Sequence, residues 1–215
     1  MKGYFITFEG TDGAGKSTQI RFLSERLQDA GYETLVTREP GGCEIAEKLR
    51  NIVLDAENES LCALGELLIY EAARAQHVHE VIVPALKAGK IVLCDRYIHS
   101  TLAYQGYARG IELQTVYMLN ELAMQGAKPD LTFFLEIDET ASFLRKGGAE
   151  QNDRMELQGN SFHHKVYEGF QKIVQEDSSV YRLAVGDFTK HETAERIWNI
   201  ACERLNICGK KGGSK

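Results

Sequence analysis

Residues 4–17 read Tyr4-Phe5-Ile6-Thr7-Phe8-Glu9-Gly10-Thr11-Asp12-Gly13-Ala14-Gly15-Lys16-Ser17. The opening residues are aromatic or β-branched and predict a short buried strand. Gly10 to Ser17 then match the pattern GxxxxGK[ST]. Beyond them Ile20, Leu23 and Leu27 recur at helical spacing, so residues 16 to about 30 predict a helix. Strand, glycine-rich loop and helix together form the context in which this pattern holds a nucleoside triphosphate. The glycines let backbone N–H groups turn inward toward phosphate oxygens. The helix that starts there adds free N–H groups and the positive end of its dipole. Lys16 can reach the β- and γ-phosphates, and the Ser17 hydroxyl can bind a Mg²⁺ ion. The candidate donor-binding loop is thus Gly10, Thr11, Asp12, Gly13, Ala14, Gly15, Lys16, Ser17 and Thr18.

Working outward, short apolar runs alternate with amphipathic stretches. Strands are expected at Thr34–Thr37, Ile91–Cys94, Leu131–Ile137 and Val180–Val185. Helices are expected over 44–54, 60–88, 111–126, 161–177 and 191–206, the second of these kinked or broken at Pro84. Within it Leu61, Leu64, Leu68, Ala72 and Ala75 fall at helical spacing. Alternating strands and helices imply an α/β fold with a parallel sheet covered on both faces. Asp95 follows four apolar residues and should emerge at the carboxyl end of a strand, where such sheets bind ligands, making it the metal-side partner of Ser17. Residues 146–160, KGGAEQNDRMELQGN, have no apolar period and read as a lid. One domain over 1–208 is expected, with 209–215 as a flexible tail.

The chain has 215 residues and a formal net charge of -6, which argues against broad binding to a nucleic-acid backbone. No apolar run approaches the ~20 residues that span a membrane, so a cytoplasmic protein with no membrane partner is expected. Five cysteines, Cys43, Cys62, Cys94, Cys202 and Cys208, have neither zinc spacing nor a CxxC pair and are expected to be reduced thiols. His77 and His79 stand at i,i+2 and face different sides of a helix, which disfavours a shared metal.

The segments FEGTDGAGKST (8–18), TREPGG (37–42), AEKLR (46–50), YEAAR (70–74), DRYIHSTLAYQG (95–106), PDL (129–131) and DRME (153–156) occur in this order along the chain. In these segments the chain resembles bacterial thymidylate kinases, nearly end to end. The resemblance implies a three-layer P-loop kinase fold, with a five-stranded parallel sheet flanked by helices and a short lid. It further implies ATP and Mg²⁺ as cofactors, dTMP as substrate and a homodimer. Tyr70 takes the position whose ring stacks on thymine. Arg74, one turn on, would donate to a thymine carbonyl, and Pro40 would pack near the thymine methyl. Thr101 and Gln105 match polar positions around the base, and Tyr104 a ring that crowds the sugar 2′ position. Arg50 and Arg96 would clamp the acceptor phosphate, with Glu39 near that phosphate and the metal. Asp12 would meet the sugar 3′-OH, and Glu9 would join the shell of groups behind the metal's own ligands. Some eukaryotic relatives carry a basic residue where this chain has Gly13, and the bacterial type compensates from the lid. Arg145, Lys146 and Arg154 are the candidates, with Arg154 favoured. The catalytic set implied is Lys16, Asp12, Arg96 and Arg154.

Two rival readings remain at this level. A deoxynucleoside kinase would phosphorylate a free hydroxyl, and the two arginines argue instead for a substrate that already carries a phosphate. A switch or regulatory binder would need the P-loop but no pyrimidine pocket, and no NKxD segment is present.

Overall fold

The computed structural model describes residues 2–138 and 153–207. Five strands form one sheet: β1 (Tyr4–Glu9), β2 (Thr34–Arg38), β3 (Ile91–Asp95), β4 (Leu131–Glu136) and β5 (Val180–Ala184). Their order is β2-β3-β1-β4-β5, and every pairing is parallel. The helices are α1 (Lys16–Asp29), α2 (Glu44–Leu54), α3 (Ala63–His77), α4 (Val83–Lys87), α5 (Ile98–Thr101), α6 (Leu113–Met124), α7 (Asn160–Glu176) and α8 (Lys190–Leu205). The expected α/β fold with a five-stranded parallel sheet is what the chain adopts.

Alternation along the central strands divides the core into two faces. Ile6, Phe8, Leu93, Phe133 and Leu135 pack with Ile20, Leu23 and Leu27 of α1 and Ile197 and Ala201 of α8. On the other face Phe5, Val92 and Cys94 meet Val78, Ile82 and Tyr97, while Phe134 meets Leu67, Val116 and Phe170. β1, at the centre, is buried almost throughout. Its register sets Phe8 beside Asp95 and Glu9 beside Phe134, so the loop after β1 opens at the carboxyl edge next to the end of β3.

Three elements depart from the simple periodic reading. The long 60–88 stretch is α3, a π-helical turn over Val78–Ile82, and then α4. The Val83 N–H reaches back to the Val78 carbonyl, so the register shifts one residue before Pro84, which then sits in the first turn of α4. Second, α5 runs directly into a π-helical segment, Leu102–Ala108, a helix that the apolar period does not reveal. Third, the Leu64–Leu68–Ala72 row of α3 faces outward, with Leu64 52% and Leu68 48% exposed. The buried side of α3 carries Glu66, Leu67, Glu71, Arg74 and His77 instead.

The described end of the expected lid, Asp153–Gln158, forms tight turns against α2 and is not a solvated loop. Arg154 N–H donates to the Leu54 carbonyl, and Arg154 and Met155 are buried. Arg145, Lys146, the rest of that segment before 153 and the expected tail lie outside the described residues. Cys43, Cys62 and Cys94 are free thiols, but Cys202 is disulfide-bonded, so the expectation of reduced thiols fails there.

Thr7 and Thr132 are register partners on β1 and β4, and their hydroxyls meet at 2.9 Å with no solvent exposure at Thr7 and 3% at Thr132. Removing one hydroxyl strands the other, which costs about 1–3 kcal/mol, whereas removing both is close to neutral. In urea unfolding, Thr7→Val alone should lose stability on that order, and the double variant Thr7→Val/Thr132→Val should recover most of it. A double variant as unstable as the sum of the single losses would contradict this.

Candidate active site

The P-loop leaves β1 at Gly10. A side chain here would place its Cβ 2.4 Å from the Leu135 carbonyl oxygen, and φ is 134°, so only glycine lets β1 turn so close to β4. Lys16, the first residue of α1, folds back so that its ammonium donates to the carbonyls of Gly10 (3.1 Å) and Thr11 (3.0 Å). It stands 4.0 Å from Asp12 and is 6% exposed. Burial and the charge of Arg96 pull its pKa down to about 8, against the opposing pull of Asp95, Asp12 and Glu9. The Ser17 hydroxyl donates to Asp95 Oδ2 at 3.0 Å, bringing the two metal candidates together. A hydroxyl and a carboxylate at the cleft are the hard oxygen donors that suit Mg²⁺. Among the described residues no cluster of three His, Cys, Asp or Glu could hold a metal by itself.

Arg96 has a left-handed backbone, φ 68°. Its N–H donates to the Phe8 carbonyl at 2.9 Å, and its guanidinium reaches Asp12 and Ser100 while lying 5.4 Å over the Tyr104 ring. Burial lowers its pKa and the surrounding Tyr104, Asp12, Asp95 and Glu9 more than reverse this, so the guanidinium stays charged. Glu9 stands beneath the site, close enough for its charge to act on Lys16 and Arg96. Its buried carboxylate accepts from the Tyr97 N–H at 2.8 Å and the Ser100 hydroxyl at 2.6 Å, so it braces the turn after β3.

At the other end, Arg74 is 4% exposed and nearly saturated. It donates to Glu39 (2.8 Å), Glu71 (2.6 Å), Thr101 (2.9 Å) and Asn120. A guanidinium has five N–H groups, so one, on Nη2, is left for a ligand. Burial lowers its pKa, but Glu71 and Glu39 lift it above the ordinary arginine range. Glu39 is also bound by His77 Nδ1 at 3.0 Å, and His77 Nε2 meets Thr37 Oγ1 at 2.7 Å. Burial likewise pushes the phenols of Tyr70 and Tyr104 up, so both rings are neutral walls.

These residues share one cleft of about 540 Å³. Asp12, Gly13, Gly15, Lys16, Ser17, Thr18 and Asp95 line it at the P-loop end. Glu39, Pro40, Arg50, Tyr70, Arg74, Arg96, Thr101, Tyr104 and Gln105 line the rest. Arg154 is the exception. Its guanidinium is buried beneath the wall, donating to the Val53 carbonyl at 2.9 Å and to Glu66, and does not line the cleft. In this arrangement it is an anchor for the 153–158 turns, away from the position the transfer role expects.

The sequence reading missed Arg38, Asp153, Met155 and Glu156, all of which line the cleft. Each lay inside a quoted motif. Arg38 Nη1 and Arg50 Nη1 converge on the Pro40 carbonyl at 2.7 and 2.9 Å, beyond the cis Glu39–Pro40 peptide. Burial and the charge of Arg38 lower the Arg50 pKa, a crowding of cations that a bound anion would relieve.

A family model described as thymidylate kinase matches residues 8–196. The thymidylate kinase of Syntrophotalea carbinolica is 44% identical over 212 residues, spanning 96% of this chain and 98% of that protein. That of Pelobacter propionicus is 46% identical over 211 residues, with 95% and 96% covered. The crystal structure of thymidylate kinase from Ehrlichia chaffeensis superposes with a TM-score of 0.76 at 32% identity, over 93% of this chain and 99% of that one. Sequence, fold and family model agree, and the chain belongs to the thymidylate kinase family.

Proposed function

We propose that the cleft is the active centre of a dTMP kinase, one domain over residues 1–208, which moves the γ-phosphoryl group of ATP to dTMP. The products are dTDP and ADP, on the way to dTTP. The observation that carries this reading is the pairing of two anion sites in one cleft. One is the P-loop with Lys16. The other is the group Arg38, Arg50 and Arg96, which adjoins a floor made by Tyr70 and Arg74. A pyrimidine nucleotide that already carries a phosphate fits that second half better than a nucleoside does.

In this mechanism the P-loop N–H groups and Lys16 hold the donor phosphates, and Arg50 and Arg96 hold the acceptor phosphate in line. Ser17 and Asp95 would hold Mg²⁺, which supplies charge neutralisation on the β- and γ-phosphate oxygens. The acceptor is a phosphate monoester with a second pKa of about 6, so no side chain has to remove a proton from it. Catalysis is then positioning plus charge stabilisation. Arg74 offers its remaining N–H to the thymine O4, and Tyr70 supplies the stacking face. With Arg154 tied to Glu66, the lid cations left for the transferring phosphoryl group are Arg145 and Lys146.

The same reading includes a homodimer. Helices α2, α3 and α6 pack side by side. They expose Ile45 and Ile52, Leu64 and Leu68, and Tyr117, Met118 and Leu122, the last at 67%. Exposed large apolar side chains on three adjacent helices support an interface between two copies of the chain. No helix among the described residues is long and apolar enough to cross a membrane. The nucleotide pool this activity serves implies the cytoplasm.

In a coupled ADP-release assay with ATP and Mg²⁺, dTMP should be turned over strongly in preference to dCMP, dGMP and thymidine. Turnover of thymidine alone would overturn the roles of Arg50 and Arg96. In sedimentation, the wild type should run as a dimer and Leu68→Glu/Leu122→Glu as a monomer, and an unchanged sedimentation coefficient would exclude this face. Lys16 gives a third test. Its folded pKa of about 8 lies below the unfolded 10.5. Below pH 8 it is charged in both states and burial weakens the native state by roughly 3 kcal/mol. Between pH 8 and 10.5 only the unfolded chain holds the proton, so this group makes stability rise with pH. Denaturant unfolding of the unliganded protein should show that rise, and Lys16→Met should lack it.

A further inference from the structure

Glu66 has no solvent exposure and lies one and two turns before Tyr70 and Arg74 on the same face of α3. Its Oε1 accepts from Gln105 Nε2 at 2.9 Å and from Arg109 Nε at 3.1 Å. Its Oε2 accepts from Arg109 Nη2 at 2.9 Å and from Arg154. Burial alone would raise its pKa, but the hydrogen bonds from Arg109, Gln105 and Arg154 hold it below the ordinary carboxylate range. Glu66 is therefore ionised, and an ionised carboxylate only accepts. Gln105 must turn its NH₂ toward Glu66, which sends its Oε1 the other way. Gln105 is 2% exposed and lines the cleft with Tyr70, Arg74 and Thr101.

We propose that Glu66 is the positioning residue that fixes the direction of the Gln105 amide, so that the cleft offers the pyrimidine a hydrogen-bond acceptor beside the Arg74 donor. This rests on the dTMP reading above. Thymine and uracil present an acceptor oxygen at C4 and a donor N–H at N3. Cytosine reverses both, with a donor amino group at C4 and an acceptor nitrogen at N3. Arg74 cannot become an acceptor. A glutamine with a free amide could flip and serve either base, and the Glu66 carboxylate removes that freedom. Selection against cytosine is then set by a residue that touches no substrate. Specificity of this kind comes from leaving polar groups facing like polar groups in a desolvated site.

Glu66 also holds Arg109 and Arg154, so the test must separate base selection from a loosened wall. The readout is the ratio of kcat/KM for dTMP to that for dCMP. In Glu66→Gln, whose amide can meet Gln105 with either end, the ratio should fall by roughly tenfold or more, through lost dTMP and gained dCMP turnover. Glu66→Asp keeps the charge and should keep the ratio at lower turnover. Arg109→Gln loosens the wall while leaving the Glu66–Gln105 bond, and should slow both substrates alike. An unchanged ratio in Glu66→Gln, or an equal fall in Arg109→Gln, overturns the proposal. Should Glu66→Gln fail to fold, the wild type still tests the Gln105 acceptor without which Glu66 has nothing to orient. It should accept dUMP far better than dCMP and reject dTMP methylated at N3, and turnover of the N3-methyl compound at the dTMP rate overturns the proposal. Absence of dTMP turnover in the wild type is a separate failure, that of the dTMP reading itself.

Discussion

The Glu9 carboxylate ends the central strand with no access to water, and a buried carboxylate must find hydrogen-bond donors close by. It takes them from the Tyr97 N–H and the Ser100 hydroxyl, just beyond the end of β3. That bond, together with the Phe8–Asp95 register, fixes the geometry of the turn between them. Asp95 then faces Ser17, and Arg96 faces Asp12. The Ser17–Asp95 pair and the Arg96 guanidinium both depend on one desolvated carboxylate. The P-loop supplies the anion site, and Glu9 aligns that site with the residues that follow β3.

Helix α3 shows how much one element can be asked to do. Its inner face carries charge and its outer face carries leucine, the reverse of an ordinary surface helix. Replacing a buried set such as Glu39, Glu71, Arg74 and Asn120 with apolar residues of equal volume need not lower stability, because desolvation offsets much of the attraction. The network is better explained by direction than by stability. It fixes every N–H of Arg74 but one, and the rigid set of partners determines where that one points.

The sheet, the P-loop and the Ser17–Asp95 pair were legible in the sequence because each rests on local order: alternation, glycine spacing, or a carboxylate at a strand end. The apolar spacing of Leu64, Leu68 and Ala72 was legible as a helix, but periodicity does not tell an outward face from one that packs on the core. The segment Ile98–Ala108 carried its chemistry in Ser100, Thr101, Tyr104 and Gln105, and those polar residues hide a helical period. Arg154 is the clearest limit. A sequence shows its charge, but its partner Glu66 is 88 positions away, and only the folded chain shows that the guanidinium is already paired, on a carboxylate it shares with Arg109. Arg38 lay in a motif that was quoted for its neighbours.

The left-handed backbone at Arg96 sets stability and chemistry against each other at a single position. Glycine or asparagine would adopt φ 68° with less strain, and a bulky side chain held there costs on the order of 1–3 kcal/mol. An engineer who ranks substitutions by melting temperature alone would be led toward glycine at this residue. The protein so obtained would be relieved of that strain, and it would have lost the cation that links Asp12 to Ser100 in the cleft.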